Sequence, residues 1–396
     1  MSQTPSKTLF FTLILMTAVP LLSLNMFLAS LGVMADEFGV GYDLMAIALS
    51  VYLIFTAFIQ IVIGPVADRF GRRPVLLVSL ALFCVASCGA AFADSFSAFL
   101  IFRVLQGAIA TGSTLSRAIV SDIVPPKQAA SILGYLAMAM SLAPIIGPSI
   151  GGTIAEIAGW RANFWLYSAV GAGLWLLVWT YLPETGAKYS RTPRAFLRSY
   201  LELISMSDFW AYTLIMSFGI GAFFTFVTGV PLIAAKQFYM TQGEIGMCIG
   251  SITCGFLFGS FLSSRFSVQY SLDKMVLSGR FVACFGLFAC LLVFWFGFVS
   301  PVSLLAGTVC VGVGNGLTSP SANAAIMSVK RDLSASASGL SGAVIVVVGA
   351  IMTSVTGIIL NVYPNAFALV FIMFILTLVG LLIAVWQSIR TKAITA

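Results

Sequence analysis

Apolar runs of about twenty residues, separated by short polar breaks, follow one another along the whole chain. A helix needs roughly 20 apolar residues to cross a hydrocarbon core about 30 Å thick, so each run reads as a membrane-spanning helix. The pattern predicts twelve, at residues 8–31, 44–66, 74–93, 96–119, 129–156, 162–182, 209–234, 243–264, 276–298, 301–327, 338–361 and 364–388. The fold class expected is an all-α integral membrane protein.

Composition agrees. Hydrophobic residues make up 60% of 396 positions and charged residues 8%, a ratio that no water-soluble fold of this length hides in a single core. The first run follows a single lysine, Lys7, and lacks a small-residue cleavage site, so it reads as a retained helix and not as a signal peptide. If the helices alternate in direction, Lys7, Arg69, Arg72, Arg73, Lys127, Lys188, Arg191, Arg194, Arg198, Arg265, Lys274, Arg280, Lys330, Arg331, Arg390 and Lys392 share the side of the amino terminus. Only Arg161 and Lys236 fall opposite. Lys and Arg resist translocation, so both termini are expected in the cytoplasm and the helix count is expected to be even. The net charge of +7 therefore reports topology, and the expected partner is the lipid bilayer, not nucleic acid. The seven cysteines fall inside the helical runs as small apolar residues, and the chain has no histidine. No disulfide, metal site or cofactor is expected.

The stretch 183–208 carries Glu184, Lys188, Arg191, Arg194, Arg198 and Glu202, the longest charged interruption, and it separates six runs from six. Two six-helix bundles, 1–185 and 209–396, joined by a connecting loop at 186–208, are the plan of a transporter built from two repeats. A short internal echo supports it: Ala67-Asp68-Arg69-Phe70 follows the second run and Ser263-Ser264-Arg265-Phe266 the eighth.

Between the second and third runs lies Gly64-Pro65-Val66-Ala67-Asp68-Arg69-Phe70-Gly71-Arg72-Arg73-Pro74. A basic turn accounts for the arginines, Gly71 and Pro74, but leaves Asp68 without a role. A carboxylate at a helix end bonds a neighbouring arginine or faces the positive end of another helix, which makes a latch. The segment strongly resembles motif A of the major facilitator superfamily. That resemblance implies that Asp68 meets the start of the eleventh helix, where Ser334 to Ser338 offer capping residues, and that Arg69, Arg72 and Arg73 meet a carboxylate closing the fourth helix, here Asp122.

Arg103 lies roughly two turns into the fourth run, with Gln106 and Gly107 after it. An arginine there costs several kcal/mol unless it faces protein or water, so it is functional unless it snorkels to the outer interface. The segment Phe102 to Gly107 resembles motif B of the proton-driven members, whose arginine is thought to influence proton movement. In the fifth run, Ala143-Pro144-Ile145-Ile146-Gly147-Pro148-Ser149-Ile150-Gly151-Gly152 combines kinking prolines with a flat glycine face. Gly246, Gly250, Gly255 and Gly259 give the eighth run a matching surface, so these two helices are expected to touch along the interface of the halves. Generic small-residue packing is the plainer alternative. Gly147, Pro148, Gly151 and Gly152 resemble motif C, associated with exporters that act as antiporters.

Further matches point to the bicyclomycin-resistance/CflA group of drug:proton antiporters: Ser50, Tyr52, Leu53 and Gln60, then Gly159-Trp160-Arg161 with Phe164, then Leu182-Pro183-Glu184-Thr185. The resemblance implies a monomeric multidrug exporter of the bacterial inner membrane that moves small organic molecules by proton antiport through alternating access. One departure matters. Where that group carries Asp-Met-Tyr-Leu-Pro in its first helix, this chain reads Asn25-Met26-Phe27-Leu28-Ala29, and the titrating position is gone. The thirteen carboxylates all fall toward one side or the other and none at mid-membrane.

Without a central carboxylate, a buried lipophilic cation lacks a compensating partner, which favours neutral or anionic cargo. Arg103 and Arg117 then supply charge to coupling or cargo, although Arg117 also fits the positive-inside set. Coupling runs through Glu156, Asp122 or the cargo's own ionisation, or the protein is a facilitator. Polar and aromatic residues on inward faces nominate the cavity: Asn25, Tyr52, Gln106, Met138 and Met140 from the first half, Phe223, Phe224, Phe226 and Asn323 from the second. The alternative cargo is a metabolite such as an amino acid derivative or siderophore. An integral-membrane enzyme would need clustered catalytic groups, and Asp36-Glu37 is the one acidic pair.

Overall fold

The computed structural model describes residues 7–124, 126–185, 200–267, 269–330 and 333–395, without the side chains of 65, 68, 121, 126–131, 134, 137, 141, 334–336 and 392–395. All regular structure among these residues is helical. The α-helices are α1 (Lys7–Asn25), α2 (Leu31–Phe38), α3 (Tyr42–Phe70), α4 (Arg72–Ala91), α5 (Phe96–Gln106), α6 (Ala110–Ile123), α7 (Pro126–Ala158), α8 (Arg161–Tyr181), α9 (Ser207–Phe238), α10 (Gln242–Phe266), α11 (Leu272–Trp295), α12 (Pro301–Ser328), α13 (Ser334–Val362) and α14 (Ala366–Thr395). They supply 12 spans long and apolar enough to cross a membrane.

Two spans are compound. A 3-10 segment, Met26–Ser30, joins α1 to α2, and a shorter one, Gly107–Ile109, joins α5 to α6. The first break has a local cause. The Asn25 side-chain amide donates to the Leu21 carbonyl at 2.7 Å, and Ser23 Oγ donates to the Pro20 carbonyl at 3.0 Å. Side chains that take the carbonyls of the preceding turn compete with the α ladder and bend it. Elsewhere the helix starts are well specified. Ser95 Oγ accepts the Ala98 N–H before α5, and Ser300 with Ser303 forms a reciprocal capping box ahead of Pro301 at α12.

The chain divides into two compact units. One holds Met1–Val40, Val51–Ser190 and Gln242–Gly246; the other holds Gly41–Ser50, Arg191–Thr241 and Met247–Ala396. Missing side chains let backbones approach within each. In the first, Gly112 packs on the Met16 carbonyl and Gly151 on the Met26 carbonyl. In the second, Gly312 and Gly316 of α12 meet α10 backbone at Ile252 and Phe256, while Gly314 meets Gly279 of α11.

Candidate functional site

The first unit encloses a guanidinium. Arg103, on α5, is 0% exposed. Its Nη1 donates to Gln106 Oε1 at 2.8 Å and its Nη2 to the Ser23 carbonyl at 3.1 Å. Gln106, one turn on from Arg103, is fixed in turn by donating to Ser87 Oγ of α4 at 2.8 Å. Two rings lie against the fork: its central carbon is 4.0 Å from the Phe27 ring centroid and 4.1 Å from that of Tyr52. Ser23 Oγ and the Tyr52 hydroxyl are 3.4 Å apart. Among the described residues no carboxylate pairs with Arg103. Burying a charge costs several kcal/mol, and each desolvated ring face returns roughly 2 kcal/mol. Aromatic quadrupoles and fixed dipoles thus stand where a counter-ion would. The rings continue outward as edge-to-face contacts, Phe164 with Phe99 and Trp160 with Phe99 and Phe164, to the end of the bundle where Glu37 accepts from Trp160 Nε1 and pairs with Arg161.

At the opposite end of α4 the chain reverses at Gly71, whose φ of 93° is open to glycine and strained for other residues. Glu184 accepts the Arg72 N–H at 2.8 Å and the Arg73 N–H at 3.3 Å, placing a carboxylate on the amino end of α4. Arg72 pairs with Asp122 at the end of α6. Arg73 donates to the Trp179 carbonyl at 2.6 Å and lies 5.4 Å from the Trp179 ring centroid. Arg69 is exposed and lies over the Phe70 ring.

The sequence profile of the Major Facilitator Superfamily matches residues 13–346. The chain belongs to that superfamily. Among curated proteins it is similar to a bicyclomycin resistance protein homolog of Haemophilus influenzae, 28% identical over 70% of this chain and 71% of the relative. It is also similar to the chloramphenicol resistance protein of Pseudomonas aeruginosa, 28% identical over 62% and 58%, and to multidrug resistance protein D of Escherichia coli, 24% identical over 99% and 98%. Among solved structures, an inward-facing bacterial homolog of the human lysosomal transporter Spinster superposes with a TM-score of 0.76 at 17% identity, covering 96% of each chain. A D-xylose–proton symporter gives 0.74 at 15% identity, also over 96% of each. These likenesses show the fold.

The expected residues of this Major Facilitator chain separate into groups. Arg103, Gln106 and Tyr52 form one cluster, and Arg72 meets Asp122. Asn25 is buried and spends its amide on its own helix. Met138 is exposed and Met140 half-buried on α7; Phe224 is buried against Gly349, Phe226 is fully buried, and Phe223 is half-buried. Asn323 is exposed. Arg117 Nε donates to the Ser113 carbonyl, one turn back, at 3.2 Å. Glu156 is exposed and accepts the Gly243 N–H at 3.0 Å. Gly64 has open space around it, and Gly250 is buried. The Asp68 side chain, the side chains of 334–336 and the connector residues 186–199 lie outside the described residues.

One expectation needs correction. The Gly147 and Gly151 face does not meet α10: it packs on Asn25 and Met26, while Pro148 and Gly152, about 100° further round α7, meet Gly246 and Gln242. Arg280, read from sequence only as part of the bias of basic residues to the side of the amino terminus, lies two turns inside α11, which starts at Leu272, and is buried. Glu184 and Arg280 are the residues that sequence reasoning missed as functional groups. The signal for Glu184 is its place in Leu182-Pro183-Glu184-Thr185, and for Arg280 the polar positions Asn315 and Thr318 three residues apart on α12.

Proposed function

We propose that the protein is a transporter and not an enzyme, exporting small organic, drug-like molecules across the bacterial inner membrane by proton antiport. It works as a monomer with both termini in the cytoplasm, and the bundles 1–185 and 209–396 expose the cargo to one face and then the other. The carrying observation is the Arg103 cluster: a fully buried guanidinium held by Gln106, the Ser23 carbonyl and two rings. Such a group is costly in a membrane and is kept where it has work to do. Relatives named for bicyclomycin, chloramphenicol and multidrug resistance support the cargo class. The Lys and Arg bias supports the orientation.

The test is twofold. Cells overexpressing the chain should tolerate several-fold more chloramphenicol or bicyclomycin than cells carrying Arg103→Met. Proteoliposomes should accumulate the same drug when a pH gradient is imposed and stop when it is collapsed. Equal tolerance in both strains would refute drug export. Uptake indifferent to the gradient would favour a facilitator of neutral or anionic metabolites, a second reading favoured by Asn25 standing where a carboxylate would titrate.

A further inference from the structure

The turn that closes the hairpin of α11 and α12 is apolar. Among the turns that follow an odd number of crossings, those before α3, α5, α8 and α10 carry charges in or beside them, such as Glu37, Asp94, Arg161 and Glu244. The turns before α12 and α14 carry none, and residues 281–329 hold no charge at all. The charge that precedes them, Arg280, is spent inside the bundle, donating to Thr318 Oγ1 at 3.1 Å and to Asn315 Oδ1 at 2.5 Å. Yet protein does not cover the turn. Trp295, Phe296, Phe298 and Val302 are 72 to 77% exposed. An exposed cluster of this kind marks a surface that meets something apolar.

Three observations say what it meets. The cluster continues a lipid-facing stripe: Phe281, Phe285, Phe288 and Leu292 are exposed at spacings of three and four along α11, and Trp295 with Phe296 carries the stripe over its end. The length fits as well. Between Lys274, the exposed charge near the start of α11, and Trp295 the helix rises about 32 Å, against a hydrocarbon core of about 30 Å and a headgroup layer of about 5–7 Å beyond it. The chain then reverses at Gly297, with a φ of 87°, so the turn ends inside that layer, and any tilt draws it deeper. Finally, the turn satisfies its own backbone. From Phe296 to Ser300 each N–H donates within the hairpin, to the Leu292, Phe294, Val293 and Gly297 carbonyls and to Ser303 Oγ, at 3.0 to 3.1 Å, and Pro301 has no N–H to satisfy. Depth in a membrane demands such pairing, and water does not. In the turn before α5, the N–H groups of Asp94 and Ser95 have no acceptor among the described residues.

We propose that the α11–α12 turn is a membrane-docking surface: Trp295, Phe296, Phe298 and Val302 are seated at the boundary of headgroups and acyl chains in the leaflet opposite the amino terminus, and the hairpin does not emerge into water. Indole rings favour that boundary. The proposal depends on the crossings and not on the cargo, so it goes beyond the reading of the chain as a drug exporter and fails or stands separately from it.

The test reads access at single positions. Phe298→Cys and Asp94→Cys are made in the full chain, held at one copy per nanodisc of phosphatidylcholine and phosphatidylglycerol, and reacted with a charged, membrane-impermeant maleimide. Wild type supplies the background of the seven native cysteines. Phe298→Cys removes an exposed ring, should melt as wild type does, and should react about tenfold more slowly than Asp94→Cys. Unfolding in SDS should make the two rates equal, which shows that depth and not thiol reactivity sets the difference. Trp295 gives a reading without a new thiol. Lipids brominated near the top of the acyl chain should quench the emission that Trp295 contributes, read as wild type minus Trp295→Phe. Equal labelling of the two folded variants overturns the proposal, as does Trp295 emission indifferent to the brominated lipid. Protection of Phe298→Cys only when two copies share a disc assigns the surface to a second copy of the chain and overturns it too.

Discussion

Glu184 Oε1 accepts the backbone N–H of Arg72 at 2.8 Å, joining the end of one membrane helix to the start of another 112 residues earlier. A carboxylate on the first N–H groups of a helix satisfies orphan donors and meets the positive end of the dipole. Glu184→Ala should lower the stability of the first unit by about 1 kcal/mol, read as a lower melting temperature of the purified protein. Glu184→Gln should recover part of the loss, since its amide oxygen still accepts. An unchanged melting temperature in the alanine variant would show that Glu184 does not hold the start of α4.

Arg103 presents a sharper contrast. Arg103→Lys retains the charge but, without the planar fork, cannot reach both Gln106 and the Ser23 carbonyl while keeping its contacts with two rings. Drug transport should fall to the level of Arg103→Met, and each lost buried hydrogen bond should cost about 1–3 kcal/mol in thermal unfolding. Lysine supporting full transport would mean that charge alone suffices.

Packing on α7 can be tested with one methyl group. Gly151→Ala drives a Cβ into the Met26 carbonyl and should destabilise by about 1–3 kcal/mol, with loss of folded yield. Gly173→Ala on α8 has open space around it and should be neutral or slightly stabilising. The comparison fails if the two variants melt alike.

If transport is coupled to protons, we propose Glu156 as the carrier: it is exposed and accepts the Gly243 N–H, whereas Asp122 is engaged by Arg72. Glu156→Gln keeps an acceptor for that N–H and removes the proton. Uptake driven by a pH gradient should drop at least several-fold in proteoliposomes, with downhill drug exchange intact. Loss of both would point to a structural role.

Much of this architecture is legible in sequence because lipid imposes a one-dimensional rule. Each span must be long and apolar, so the twelve runs can be counted without any tertiary information. Arg103 was equally readable, as a charge in a place where charge needs a reason, and the meeting of Arg72 with Asp122 was readable through the resemblance to motif A. Arg280 was not, for it lies near the start of a run, where a basic residue already counts toward the positive-inside bias and its burial depends on tertiary packing. Gly147 and Gly151 misled differently. Small residues announce close approach but not the partner, which depends on how α7 is rotated about its axis, and hydropathy carries no such angle when neighbouring helices and lipid are equally apolar.

The 3-10 segment at Met26–Ser30 has a geometric effect on the first span. Each 3-10 residue turns the chain about 20° further and advances it about 0.5 Å more than an α residue, so five of them add about 100° and 2.5 Å. The stripe that α1 presents to its neighbours is therefore displaced by more than a quarter of a revolution where α2 takes over. A single membrane crossing works as two screws out of phase, and a seven-residue periodicity drawn straight through it would assign the wrong neighbours to every residue beyond Ser30.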